Sequence, residues 1–307
     1  MISFLTYTAV RFASFLANCF PVSFTLWMTA RTTDWVYGFL KERRQITLEN
    51  INRVFGDSIP PERKTALAKG AFRSAALSMV ELLIVRKIAR NARERFSISG
   101  DQYLEEAFAK QKGVVMTVAH FGSWEYLPFL SFLKGRRWSV VVKNIKNPHV
   151  NRMVDSLRRV MRVHPISKDG SIRTVLTELK KGHGVAILID QWAGDEGIWV
   201  DFFGTSTSTT SIPARLAKHT GCALVPAYCL RRSPGQYEIH VEKPYHYDTK
   251  TPGWEARITT ELNQLWEHWI RLHPDQWLWG HRRWKDKPRT IRTVSQQTIS
   301  TGRADEH

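Results

Sequence analysis

The chain falls into stretches with different hydrophobic periods. Residues 114–118, VVMTV, are apolar or β-branched at every position, a run too short for a helix and lacking the alternation of a half-wet strand. That pattern predicts a strand buried on both faces. It stops at His120, after which Gly122 and Ser123 turn the chain and place Glu125 in a first helical turn. The alternation continues on both sides: helices over 103–110, 126–133, 150–161 and 172–179, a strand over 138–142, and a second fully apolar strand over 185–189 that ends at Asp190-Gln191. Apolar strands separated by helices predict an α/β fold, a central mainly parallel or mixed sheet covered by helices. In such sheets ligands gather at strand ends, so His120 and Asp190 are expected to share a cleft.

Upstream, Leu67, Ala71, Ala75, Met79 and Leu83 follow Pro60-Pro61 at four-residue steps, the stripe of a packing helix. Arg86, Lys87, Arg90, Arg93 and Arg95 come next, either a solvated face near the helix C-terminus or a docking patch for an acidic partner. Downstream, residues 198–212 hold a short strand, Gly204 and a run of small hydroxyl residues that includes Thr209. Such a run suits phosphate binding with the help of the next helix N-terminus, and equally a polar loop. A helix over 214–220, a hairpin of 222–230 with 237–241, and an amphipathic helix over 254–272 complete the pattern.

The first forty residues are strongly apolar and aromatic, yet Arg11, Asn18 and Pro21 interrupt them before about twenty clean apolar residues accumulate, the length a span needs. Three readings fit: a helix lying in a membrane interface and held by Arg31, Lys41, Arg43 and Arg44, a buried helix of a soluble protein, or a single span. The first divides the chain into a membrane-interface segment (1–45), an α/β domain with a helical N-terminal part (46–288) and a disordered polar tail (289–307).

Charge and cysteine content narrow the partners. A net charge of +17 over 307 residues points to an anionic partner: a phospholipid surface, an acidic protein or a nucleic acid. Cys19, Cys222 and Cys229 are too few and too oddly spaced for a disulfide framework or a zinc site, and read as reduced thiols of a cytosol-facing protein. His120 and Glu125 suit proton abstraction, the imidazole as base and the carboxylate on its far nitrogen to fix the tautomer. Ser123 and Glu125 also make an ordinary helix start, so a purely structural reading stands beside the catalytic one.

The blocks His120-Phe121-Gly122-Ser123-Trp124-Glu125, Asn147-Pro148, Asp190-Gln191, Phe202-Phe203-Gly204, Arg231 and the terminal run from Pro274 to Lys285 resemble, in that order, the bacterial late lipid A acyltransferases, part of the wider lysophospholipid and glycerol-phosphate acyltransferase group. The resemblance implies transfer of a fatty acyl chain from an acyl carrier protein or coenzyme A thioester to a hydroxyl of a membrane lipid, at the cytoplasmic face of the bacterial inner membrane, with no other cofactor. It implies that His120 and Glu125 are the catalytic pair and that Lys143, Asn147, Asp190, Gln191, Gly204, Thr209, Arg231 and Arg282 contact substrate. Lys143 stands where the better-known enzymes often carry arginine, which removes the bidentate fork and leaves the acceptor headgroup open. A lysophospholipid, aminolipid or glycolipid mannoside acceptor remains compatible. A non-catalytic basic protein would need the charge and aromatics but not His120 and Glu125, and no nucleic-acid signature is present.

Overall fold

The computed structural model describes residues 2–285. Two N-terminal helices, α1 (Ile2–Cys19) and α2 (Val22–Val36), meet at Pro21. Next come α3 (Lys41–Phe55), the long α4 (Pro61–Leu83) and two short turns, α5 (Val85–Arg90) and α6 (Ala92–Arg95). The α/β part then runs β1 (Phe96–Ser99), α7 (Asp101–Ala109), β2 (Val114–Val118), α8 (Phe129–Lys134), β3 (Trp138–Val142), α9 (Pro148–Val160), β4 (Val163–Ser167), α10 (Ser171–Lys180) and β5 (Gly184–Leu188). After β5 come the β6 (Ile198–Phe202) and β7 (Thr205–Thr209) hairpin, α11 (Ile212–Thr220), β8 (Ala223–Ser233), β9 (Gln236–Val241) and α12 (Trp254–Leu272).

The architecture is the expected α/β one. Seven strands form one sheet in the order β1-β9-β8-β2-β5-β3-β4, parallel throughout except for the β8–β9 hairpin. β2 lies in the middle between β8 and β5, which is why its side chains are all apolar or unexposed: Val114, Met116 and Val118 join one core, Val115 the other. Helices α7, α8 and α9 cover the first face, and α10, α11 and α12 the second.

The hydroxyl run is neither a loop nor a phosphate cradle. Thr205–Thr209 is β7, paired antiparallel with β6; Thr207, Ser208 and Thr209 are buried, and Thr207 and Thr209 bond Arg283 and Asn263. The basic cluster is partly structural too. Lys87 donates to the carbonyls of Asn18 (2.8 Å) and Phe20 (2.5 Å), closing the end of α1.

At the N-terminus α1 packs on α9 and α4, and α2 on α4. The outer faces of both helices and the following loop leave Phe4, Phe12, Phe15, Phe24, Trp27, Trp35 and Phe39 exposed, Trp35 by 69%. Among the described residues no helix is long and apolar enough to cross a membrane. The polar tail expected at 289–307 lies outside the described residues.

Candidate active site

Parallel register delivers the site. Val118 pairs with Leu188, so two residues further on His120 and Asp190 leave neighbouring strand ends side by side. His120 Nδ1 is 2.8 Å from Asp190 Oδ1, and the His120 backbone N–H donates to Oδ2 of the same carboxylate at 3.0 Å. Trp277 Nε1 donates a third bond to Oδ2 at 2.8 Å. The carboxylate is 3% exposed. Burial alone would push its pKa up, but the charge of His120 and the bonds from His120 and Trp277 outweigh that and hold it below the ordinary aspartate value.

The backbone around His120 is equally constrained. Its carbonyl accepts the Leu278 N–H at 3.0 Å, Gly122 N–H donates to Gln276 O at 2.8 Å, and Ser123 N–H donates to Cys229 O at 2.7 Å. Gly122 has φ +60°, and a Cβ there would lie 2.0 Å from the Cys229 carbonyl oxygen, so only glycine turns the chain at this point. Trp124 packs edge-on against the imidazole at 5.4 Å.

With Nδ1 held by Asp190, Nε2 is the ring nitrogen left for other contacts. It faces a cavity of about 490 Å³ whose wall is mostly apolar: Val118, Val140, Ala186 and Leu188 from one sheet face, Ile172, Val175 and Ile212 from helices beyond the strand ends. Glu125, Lys143, Arg158 and Gln191 supply its polar rim. Gln191 Nε2 is 3.4 Å from His120 Nε2.

Glu125 does not hold the histidine. Its carboxylate is gripped by both arms of Arg158, at 2.7 and 3.1 Å, and Arg158 is further tied to Asp155. Sequence spacing pairs His120 with the nearest carboxylate. The sheet instead brings up a carboxylate seventy positions away and turns Glu125, in a single turn at Trp124–Tyr126, toward α9.

The other anticipated contacts divide. Asp190, Gln191 and Lys143 gather at the cavity or at His120. Asn147 caps α9 through His149 N–H and Val150 N–H, and donates to Ser3 O. Gly204 turns the β6–β7 hairpin at φ +68°, and Thr209 is buried against Arg283 and Asn263. Arg231 forms a buried bidentate pair with Glu81 at 2.6 and 2.8 Å, with Tyr237 on the same carboxylate. Arg282 reaches Glu42 on the surface at 3.0 Å. None of these five lines the cavity. Three participants were not anticipated: Trp277 on Asp190, Arg158 on Glu125, and Arg283, a fully buried guanidinium that holds the Gln191 carbonyl at 3.3 Å and Ser208 O at 2.6 Å. Burial brings the Arg283 pKa down to about 10. The fully apolar strand endings and the Trp-rich terminal run were the visible signals for these groups.

A histidine held by a buried carboxylate and opening on a cavity with hydrocarbon walls suits base chemistry on a lipid-like substrate, acyl transfer to a hydroxyl included. Sequence comparison agrees on the class: residues 2–286 match the model of the bacterial lipid A biosynthesis acyltransferases, and the chain belongs to that family. It is similar to the lipid A biosynthesis palmitoleoyltransferase of Escherichia coli K12, 26% identical over 81% of each chain, and to the lauroyltransferase of the same organism, 24% identical over 82% of each. It is also similar to the phosphatidylinositol mannoside acyltransferase of Mycobacterium tuberculosis H37Rv, 28% identical over 62% of this chain and 60% of that one.

Proposed function

We propose that this protein transfers a fatty acyl chain from a thioester, carried by acyl carrier protein or coenzyme A, to a hydroxyl of lipid A or its precursor at the cytoplasmic face of the inner membrane. The observation that carries the reading is the orientation of His120: Nδ1 on buried Asp190, Nε2 toward an apolar cavity. Nε2 takes the acceptor hydroxyl's proton as the oxygen bonds to the thioester carbonyl carbon. The tetrahedral species then collapses, the carbon–sulfur bond breaks, and the leaving thiolate recovers the proton from the imidazolium. Asp190 keeps Nδ1 protonated and stabilises the transient charge, so no covalent acyl-enzyme is needed.

The exposed aromatic face of α1 and α2 suits insertion among lipid headgroups, and the +17 charge suits an anionic membrane and an acidic carrier. Lys143 and the Arg158–Glu125 pair line the same cavity, which supports a role toward the polar part of acceptor or donor. A glycolipid mannoside is the alternative acceptor, raised by the mycobacterial relative. Mass spectrometry of membrane lipids from cells with and without the protein decides between them: an acyl-sized mass difference on lipid A supports the reading, and one confined to another lipid overturns the acceptor.

A further inference from the structure

A tetrahedral intermediate needs a donor for the negative charge on its oxygen; the backbone N–H groups of residues 120–123 are all spent, and the unpartnered Ser123 hydroxyl is buried outside the cavity lining. The His120 amide is on Asp190, Phe121 N–H donates to Ala119 O at 2.8 Å, Gly122 N–H to Gln276 O and Ser123 N–H to Cys229 O. Arg158 is committed to Glu125 and Asp155. The side-chain N–H that reaches the reacting edge of the imidazole is that of Gln191, 3.4 Å from Nε2 and exposed to the same cavity.

Its anchoring is better than that of a surface glutamine. The preceding residue, Asp190, is locked to His120 and Trp277, and the Gln191 carbonyl accepts from buried Arg283. Because Nδ1 donates to Asp190, Nε2 is an acceptor, and the carboxamide must present its nitrogen to it. A contact of 3.4 Å is long for a hydrogen bond and is cheap to exchange.

We propose that Gln191 is a second catalytic residue: its carboxamide occupies His120 Nε2 in the free enzyme, yields that place to the acceptor hydroxyl, and then donates to the thioester carbonyl oxygen as charge develops there. The proposal rests on the acyl-transfer reading. As the hydroxyl oxygen bonds to carbon and its proton passes to Nε2, the carbonyl electron pair moves onto the oxygen facing Gln191. When the carbonyl re-forms, the carbon–sulfur bond breaks, the leaving thiolate takes the proton from Nε2, and the carboxamide returns to the freed nitrogen.

The test compares wild type with Gln191→Met, Gln191→Glu, Gln191→Asn and His120→Ala, using dodecanoyl-coenzyme A and a lipid A precursor in mixed micelles, with thermal unfolding on the same samples. Gln191→Met keeps the shape and removes the donor, so kcat should fall about 10²–10³-fold, the usual cost of one oxyanion donor, with KM and Tm unchanged. Gln191→Glu should lose at least as much, because a carboxylate repels the oxyanion, and Gln191→Asn should lie between. Variants whose kcat stays within a few-fold of wild type, or whose loss tracks a fall in Tm, overturn the assignment. A wild type that fails to transfer, or a His120→Ala protein that still does, brings down the acyl-transfer reading itself, and the Gln191 role with it.

Discussion

Replacing Asp190 by asparagine separates the two candidate partners of His120. The carboxylate accepts three bonds, Nδ1–H on one oxygen and the His120 amide and Trp277 indole on the other. Asparagine keeps one oxygen, which can still serve the amide and the indole. Its NH₂ then faces Nδ1 and forces that nitrogen to accept, leaving the proton on Nε2, where the substrate's proton must go. The fold should lose about 1–2 kcal/mol, one charge-assisted bond, or a few degrees in Tm. Turnover should fall far more, about 10²–10⁴-fold, because the wrong tautomer dominates. Glu125→Gln leaves the histidine alone and loosens Arg158, so its effect should fall on stability and on KM. In double-mutant cycles His120→Ala and Asp190→Asn should be strongly non-additive, while His120→Ala and Glu125→Gln should add. Acyl-transfer rates and thermal unfolding of the five purified variants decide it. Near-normal turnover in Asp190→Asn together with a His120-like collapse in Glu125→Gln would refute the reasoning.

Breaking the buried Arg231–Glu81 pair with Arg231→Ala should cost about 3–5 kcal/mol, read as a lower denaturant midpoint, since it strands a carboxylate 1% exposed. Gly122→Ala forces a Cβ into the Cys229 carbonyl and should reduce Tm and activity together; unchanged values would show that the turn relaxes. Phe24→Ser with Trp27→Ser should weaken sedimentation with anionic vesicles by an order of magnitude or more at constant Tm, and undiminished binding would remove that face from the membrane argument. Burial brings the His281 pKa down from 6.5 to about 4, so the unfolded chain binds the proton first and stability should decline as pH falls from about 6.5 through 4. His281→Gln should flatten that segment of the stability–pH curve, and an unaltered slope would assign it elsewhere.

The legibility of this chain followed burial. β2 and α12 were readable to the residue, because a strand buried on both faces and a long amphipathic helix each impose one period. β4 was missed because it carries His164 and Pro165, tolerable there only because it is an edge strand, bonded to β3 alone. β1, only four residues of FSIS, carries too little pattern to announce itself. At the site, His120 and Asp190 were both visible as polar residues ending apolar strands. Which carboxylate serves the imidazole was not visible, because that depends on β5 lying beside β2, a non-local pairing that local spacing cannot encode. Arg231 looked like a ligand for the same reason: its partner Glu81 lies 150 positions earlier.

The segment after α12 works as a clasp on the site. Gln276, Trp277 and Leu278 supply the acceptor for Gly122, the indole on Asp190 and the amide on the His120 carbonyl, so a segment far downstream in sequence frames the histidine. The β2–β5 pairing alone sets the imidazole next to the carboxylate, and this clasp is what fixes the backbone on either side of it. The geometry around the imidazole is thus held from three directions, two sheet strands and a segment far along the chain, and loosening that segment loosens the histidine.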